Sequence, residues 1–237
     1  MLNKDKKYTS KLTVIIPTLN EESSIEMVLQ EIEKALPSIN VLVVDDGSVD
    51  ETKSKVQGYQ GNLNITFIDR TSESIHGLTI SVLHAIKQCF TEYFVVIDGD
   101  LQHPPNILPS FYYSLEGNYD LVVGRRVKVI DYWPVHRKIL SYVASFSANL
   151  SLLLRKKNRV KDVMSGYFGS KTILWKELLI SHEYKFTLKG YKILYDFLKI
   201  YSSNLRIQYI DYTFGSRNYG SSKINRKVIW EFFKSLF

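Results

Sequence analysis

Asp98 and Asp100 stand one residue apart, with Gly99 between them and Gln102 just beyond. Two carboxylates and a side-chain amide oxygen form an all-oxygen donor set of the kind that Mg²⁺ or Mn²⁺ accepts. A glycine between the acids lets the backbone turn, or approach a ligand closely. Tyr93, Phe94, Val95, Val96 and Ile97 lead into this group, and Pro104-Pro105 closes it. Aromatic and β-branched residues favour a strand, and proline stops one, so the segment reads as a strand that delivers acid groups to its own end. The chemistry implied is a metal held against a diphosphate. The competing reading is a polar strand end that caps the next helix.

The surrounding elements decide between the two. Residues 12–17 form a short apolar run followed by Thr18-Leu19-Asn20-Glu21-Glu22, after which Ile25, Val28, Leu29, Ile32 and Leu36 recur at helical spacing up to Pro37. Residues 41–44 give a second strand ending in Asp45-Asp46-Gly47-Ser48, and Asp50 is placed to cap a helix running to Tyr59. A third strand over 63–68, a helix over 78–90, the strand over 93–97, a helix over 104–115 and a fifth strand over 120–123 continue the alternation. Strands without polar alternation, interleaved with helices, predict an α/β fold with a mostly parallel, Rossmann-like sheet covered on both faces. In such sheets ligands bind beyond the carboxyl ends of the strands. Three strand ends carry acids there: Glu21, Asp45 with Asp46, and Asp98 with Asp100. No glycine-rich phosphate loop of the dinucleotide or P-loop type accompanies them, so a diphosphate bound here needs a metal to neutralise it.

At 237 residues, with 45% apolar and 23% charged residues, the chain is long enough for one large globular domain. Its one cysteine, Cys89, excludes an internal disulfide framework and a cysteine-rich zinc site. Residues 1–11 are a polar, lysine-rich leader with no apolar stretch behind them that fits a signal peptide, and the expectation is a cytoplasmic protein. A net charge of +7 and a pI near 9.2 point to an anionic partner. Arg155, Lys156, Lys157, Arg159 and Lys161 concentrate that charge in the second half. No nucleic-acid reader motif accompanies the charge, which argues against DNA or RNA.

Val14-Ile15-Ile16-Pro17-Thr18-Leu19-Asn20-Glu21-Glu22, then Val43-Val44-Asp45-Asp46-Gly47-Ser48, then Asp98 through Pro105, in this order, resemble the signature of the inverting family 2 glycosyltransferases of GT-A fold. The Asp-Leu-Gln-His-Pro-Pro ending is similar to that of the polyprenol-phosphate sugar transferases, of the dolichol-phosphate mannose synthase type. The resemblance implies transfer of a hexose, by family habit mannose from GDP-mannose, to a polyprenyl or dolichyl phosphate. A UDP-glucose-dependent polyprenyl-phosphate glucosyltransferase and an idle nucleotide-sugar-binding module are the alternatives. Carried over by position, Pro17, Leu19 and Glu21 would line the base and ribose pocket with Val43 and Asp45 beside them. Asp98, Gly99 and Asp100 would meet the sugar and diphosphate, and Asp98, Asp100 and Gln102 would hold Mg²⁺ or Mn²⁺. Leu19 stands where the family often has tyrosine. His103 reads as structural.

In the second half, Val122-Val123-Gly124-Arg125-Arg126 places two guanidinium groups after the fifth strand, suited to bidentate contact with phosphate. Arg126 is the residue that matches the family, and Arg125 reads as solvated. Residues 139–154 carry no charge, yet sixteen residues at about 1.5 Å each fall short of a hydrocarbon core of about 30 Å. Ser141, Ser145, Ala148 and Leu152 make a narrow row of mostly small residues, with Leu140, Val143, Phe146, Leu150 and Leu153 as bulk. The segment over 134–157 therefore reads as an amphipathic interfacial helix, or else as a buried core helix. Trp133-Pro134 with Arg137 and Ser141, and Asp162 through Phe168, resemble family stretches that imply an acceptor-phosphate pocket of Arg126, Arg137 and Ser141, with Asp162 orienting an arginine. Residues 171–181 and 187–201 read as helices and 205–212 as a closing strand. Residues 214–223 resemble the family's lid, which would bring Arg217 and Lys223 over the diphosphate, and 226–237 read as an amphipathic end. The expected enzyme has a GT-A domain over 12–225 and sits peripherally on the cytoplasmic face of a membrane.

Overall fold

The computed structural model describes residues 10–130, 135–188 and 192–216, side chains included except at 135–139. Uninterrupted apolar runs form the centre of the sheet. The strands β1 (Leu12–Thr18) and β2 (Asn40–Asp45) are buried almost along their whole length, as is β4 (Tyr93–Val96). Burial on both faces is what their lack of polar alternation requires. Val14, Ile16, Val41, Val43 and Val95 face one apolar layer, whereas Ile15, Leu42, Val44, Phe94 and Val96 face the other. The first layer is closed by α1 (Ile25–Ala35) and α4 (Leu108–Glu116), and α2 (Thr52–Gln57) adds Val56 to it. The second is closed by α3 (Leu78–Gln88), α5 (Val135–Leu154), α6 (Thr172–His182) and α7 (Ile193–Ile200).

Among the described residues the sheet has seven strands in the order β3-β2-β1-β4-β6-β5-β7, with β3 at Asn64–Asp69, β5 at Leu121–Val129, β6 at Phe168–Lys171 and β7 at Ile207–Phe214. Only β6 is antiparallel to its neighbours, so the carboxyl ends of the other six strands share one edge with the start of β6.

The expected alternation holds through β5, with differences that have physical causes. β6 is a strand that propensity does not announce. Its Gly169 lies so close to β4 that a Cβ would meet Val95 Cγ2 at 2.8 Å and the Phe94 oxygen at 3.0 Å, so close approach decides its composition. β5 runs on to Val129 because β7 pairs with it beyond Gly124, which places Arg125 and Arg126 inside a strand and not after one. The helix expected over 104–115 begins as a 3₁₀ turn at Pro105–Ile107, and of the one expected over 187–201 the described helical part is α7. Most of the leader, Trp133-Pro134, most of the lid and the amphipathic end at 226–237 lie outside the described residues.

Helix α5 combines both readings of its segment. Ala144, Ala148, Ser151 and Leu152 are buried against the second layer. The opposite face presents Tyr142, Val143, Phe146, Leu150, Leu153 and Leu154, all exposed. Among the described residues no helix is long and apolar enough to cross a membrane.

Candidate active site

The order of strands reverses between β1 and β4: β2 and β3 lie to one side of β1, and the chain returns to β4 on the other. A crevice opens at such a switch point, beyond the strand ends. Its two walls are the loops after β1 and β4, and they are fastened together. Ser24, buried at the start of α1, donates its hydroxyl to the Gly99 oxygen at 2.7 Å. Gly99 packs so that a Cβ would lie 3.5 Å from Glu21 Cγ and from Thr18 Cγ2.

The loop after β1 is in turn tied to the loop after β2. Asn20 adopts φ +54°, its N–H donates to Ser48 Oγ at 2.7 Å and its side chain accepts from the Val49 N–H at 2.9 Å. Asp45 is 3% exposed. Its carboxylate accepts from Thr18 Oγ1 at 2.8 Å, from the Ser48 hydroxyl, and from the N–H groups of Ser48 at 2.8 Å and Gly47 at 3.2 Å. Asp45 therefore shapes the pocket wall. Val43 departs from expectation: its side chain is fully buried in the layer under α1 and its backbone lies between β1 and β3, so it lines no pocket. Pro17, Leu19 and Glu21 are partly exposed along the crevice.

Asp46 anchors a network that the sequence did not announce. Arg70, 2% exposed, donates Nε to Asp46 Oδ1 at 3.2 Å, Nη1 to His84 Nδ1 at 2.9 Å and Nη2 to the Ile75 oxygen at 2.6 Å. Ser81 Oγ and the Gly77 N–H also reach Asp46. Burial and the guanidinium of Arg70 push His84 below its usual pKa.

On the β4 side, Asp100 Oδ1 accepts the Gln102 N–H at 3.1 Å across Leu101, which takes φ +63°. A left-handed conformation in a bulky residue costs roughly 1–3 kcal/mol and persists where its surroundings enforce it. Here it closes a tight turn between Asp100 and Gln102, on the loop that also carries Asp98. The Asp98 side chain is one-third exposed, while Asp100 and Gln102 are buried. The Gln102 amide nitrogen donates to the Gly215 oxygen at 3.3 Å, which leaves its oxygen as the acceptor end. Gly215 also donates its N–H to the Gln102 main-chain carbonyl oxygen at 2.9 Å, so the root of the expected lid is bound to this loop. Arg217 and Lys223 lie outside the described residues.

His103 is 3% exposed, packs against Tyr167, Tyr212 and Phe214 with ring centroids 5.0 to 5.7 Å away, and accepts the Asp98 N–H at Nδ1. Burial pushes its pKa down to about 4, so it is neutral, and these contacts give it the structural role that the sequence implied.

Two carboxylates and an amide oxygen on one loop fit a hard divalent cation, and supply part of its usual oxygen shell. Among the described residues no cluster of three or more His, Cys, Asp or Glu side chains offers a complete metal site. A diphosphate and water would have to supply the remainder.

The cationic side of the crevice comes from β5 and the segment before β6. Arg126 donates Nε to Asp162 Oδ2 at 2.8 Å and Nη2 to Asp162 Oδ1 at 2.7 Å, and its guanidinium lies 5.7 Å from the centroid of Phe214. Gly166 lets this segment close on the acid loop, since a Cβ there would sit 3.4 Å from Asp98 Oδ1. Arg125 points to the other face of the sheet and is not simply solvated: it forms a bidentate pair with Asp211 of β7. Ser141 is partly buried in the first half of α5, and Arg137 falls in the first turn of the same helix, its side chain outside the description.

Acids on one side of a switch-point crevice, an oriented guanidinium on the other and a sheet of this order are joined by a match at the level of sequence. A family model described as "Glycosyl transferase family 2" matches residues 13–181. The chain belongs to that family. As a family 2 glycosyltransferase of GT-A fold it is similar to the dolichol-phosphate mannosyltransferase of Pyrococcus furiosus, with 34% identity over 96% of the chain and 63% of that protein. It is also similar to the proteins of the same name from Mycosarcoma maydis (28% identity over 96% of the chain and 78% of the relative) and Saccharomyces cerevisiae (30%, 94% and 85%). The chain thus spans less than two thirds of the P. furiosus relative. Among solved structures, glucosyl-3-phosphoglycerate synthase from Mycobacterium tuberculosis with phosphoglyceric acid superposes with a TM-score of 0.67 at 18% identity, covering 96% of this chain and 79% of the other. The same enzyme with Mn²⁺, UDP-glucose and glycerol 3-phosphate gives 0.65 at 19% identity, covering 96% and 79%. At these identities the structures speak for the fold.

Proposed function

We propose that this glycosyltransferase moves a hexose from a nucleoside-diphosphate sugar to a polyprenyl or dolichyl phosphate, with mannose from GDP-mannose as the donor, at the cytoplasmic face of a membrane. The observation that carries this is the pairing of an acidic loop, Asp98-Gly99-Asp100-Leu101-Gln102, with the Asp162-held guanidinium of Arg126 across one crevice. Such a site is built for two anions. The acids, by way of Mg²⁺ or Mn²⁺, take the donor diphosphate, and the arginine takes a second phosphate. The three relatives named dolichol-phosphate mannosyltransferase and the exposed apolar face of α5 support a lipid as carrier of that phosphate.

Asp98, Asp100 and Gln102 would hold the metal, which when bound stabilises the charge that develops on the departing nucleoside diphosphate. Pro17, Leu19 and Glu21 would border the nucleoside. Arg126, with Arg137 and Ser141 from the first half of α5, would hold the acceptor phosphate. A phosphate acceptor is already ionised near neutral pH, so no side chain has to remove its proton. The rate then comes from positioning and charge stabilisation. Arg217 and Lys223 would close over the diphosphate and keep water from taking the sugar. Attack from the face opposite the leaving group gives inversion.

The test is transfer of radiolabelled sugar from GDP-mannose, and separately from UDP-glucose, to a polyprenyl phosphate in micelles. Label should move from GDP-mannose. Transfer from UDP-glucose alone would reassign the donor, and transfer from neither would reduce the chain to a binding module.

A further inference from the structure

Beside the apolar face of α5 lies a groove of about 380 Å³ lined by Asn149, Arg159, Val160, Lys161 and Tyr209. It sits on the face of the sheet opposite Arg126. Asn149 builds it: its amide donates to the Ser145 oxygen within α5 at 3.1 Å and to the Val160 oxygen at 3.0 Å, stapling the basic loop to the helix. Val160 is buried, so Arg159 and Lys161 on either side of it point outward, and both are exposed. The Lys161 ammonium stands 5.4 Å from the centroid of the Tyr209 ring, which forms the floor.

The cations of this region divide by what they touch. Lys157 is spent on the fold, donating to the Tyr201 oxygen at 3.0 Å at the end of α7, and Arg125 is paired with Asp211. Arg159 and Lys161 carry no salt bridge among the described residues. At 100° per residue, Asn149 flanks the arc that holds Tyr142, Phe146 and Leu153, which are 72%, 58% and 49% exposed. A cationic groove therefore runs along the border of an apolar face. That is the cross-section of a bilayer interface, with acyl chains against the apolar side chains and phosphates against the border.

We propose that this groove is a phospholipid headgroup site, taking the phosphodiester of an anionic bilayer lipid between Arg159 and Lys161 while the α5 face enters the acyl region. It rests on the reading of the enzyme as membrane-associated, and it is a second phosphate site, separate from the acceptor pocket at Arg126. Lys161 adjoins Asp162, which holds Arg126. A lipid in the groove thus fixes the segment that orients the acceptor-binding guanidinium, and brings the bilayer to the edge where a lipid-borne acceptor must enter.

The experiment is sedimentation of the full chain with vesicles of phosphatidylcholine alone and of phosphatidylcholine with phosphatidylglycerol, comparing wild type with Arg159→Gln/Lys161→Gln. Two basic side chains at a membrane surface contribute about 30-fold in affinity. Wild type should prefer the anionic vesicles by about that factor, and the double variant should lose most of the preference while binding neutral vesicles equally. Millimolar inorganic phosphate at matched ionic strength should not displace wild type. Displacement would assign the groove to a free phosphate and overturn the proposal, as would unchanged anionic preference in the variant. Turnover with a short isoprenyl phosphate in lipid-free solution is the control, and it should be unchanged in the double variant and in Arg159→Gln alone. Loss of turnover in both would place these cations in the catalytic site and overturn the proposal. If no polyprenyl phosphate accepts sugar but the anionic preference behaves as stated, the proposed reaction fails and the headgroup site stands.

Discussion

A guanidinium that is to meet a phosphate must be held still without being used up. Asp162 does this for Arg126 by taking Nε and one hydrogen of Nη2, so the Nη1 edge of the fork remains for a ligand. Asp162→Asn keeps one carbonyl oxygen and loses the charge. Breaking a buried pair from one side costs about 3–5 kcal/mol. Arg126 and Asp162 keep 19% and 11% of their side-chain surface, so the expected loss is smaller, about 2–3 kcal/mol in urea unfolding. The KM for the phosphate acceptor should rise by more than tenfold and the KM for the donor sugar should barely move. A second residue-scale prediction concerns Arg70 and His84. Arg70 Nη1 donates to His84 Nδ1, which an imidazolium cannot accept, so the fold requires neutral His84. Its pKa in the folded chain lies below the ordinary 6.5, held there by burial and by Arg70. The unfolded chain therefore binds the extra proton first as pH falls. This contribution to stability is complete above the unfolded pKa and is lost below it as pH drops toward the folded value. Melting temperature should fall between about pH 7 and pH 5 in the wild type, and His84→Gln should flatten that slope. Equal slopes would remove His84 from the network's energetics.

Elements carry what single residues cannot show. The strands that surround the switch point were legible because each is an apolar run ended by acids, and the helices between them show period 3.6. β6 was not, since its Phe-Gly-Ser-Lys composition answers to the distance from β4 and not to strand propensity. The extension of β5 was hidden for a similar reason: pairing with β7, more than eighty residues later, decides it. Of the candidate site, the acid loop, the structural role of His103 and the Asp162–Arg126 orientation could be read ahead. The burial of Val43 and the Asp46–Arg70–His84 network could not, because both depend on which strands become neighbours. Helix α5 was ambiguous in sequence because it meets both conditions at once, with small residues toward the sheet and bulk outward. The two faces should respond differently to substitution. Ala148→Leu inserts volume where no surface is exposed and should cost about 1–3 kcal/mol in chemical unfolding. Phe146→Ser, on the outward face, should leave unfolding within about 0.5 kcal/mol and weaken sedimentation with vesicles severalfold. A large loss of stability in Phe146→Ser would mean that the face is covered by the protein itself.

At the scale of the whole molecule, the two apolar layers and the seven-strand sheet of the described residues are built without any contribution from the side chains of Asp98, Asp100 or Gln102. Asp98, Asp100 and Gln102 lie on a single loop, braced by Ser24, His103 and Gly215. The cation should therefore serve the donor and not the fold, unlike a structural zinc, whose removal unfolds its domain. Chelation with EDTA should then abolish sugar transfer while leaving the melting temperature of the free protein within about 2 °C. The sharper readout is linkage. A donor nucleotide at about 100 times its Kd stabilises the folded state by about 2.7 kcal/mol, which in a chain of this size raises the melting temperature by roughly 5–10 °C. Because the diphosphate oxygens must share the metal with the loop, EDTA should erase that rise, and Mg²⁺ or Mn²⁺ should restore it. Asp100→Ala should behave as a permanently chelated enzyme, folded and unresponsive to metal. A donor-induced rise that survives EDTA would show that the diphosphate is held by cationic side chains alone, and would take the metal out of the acid loop.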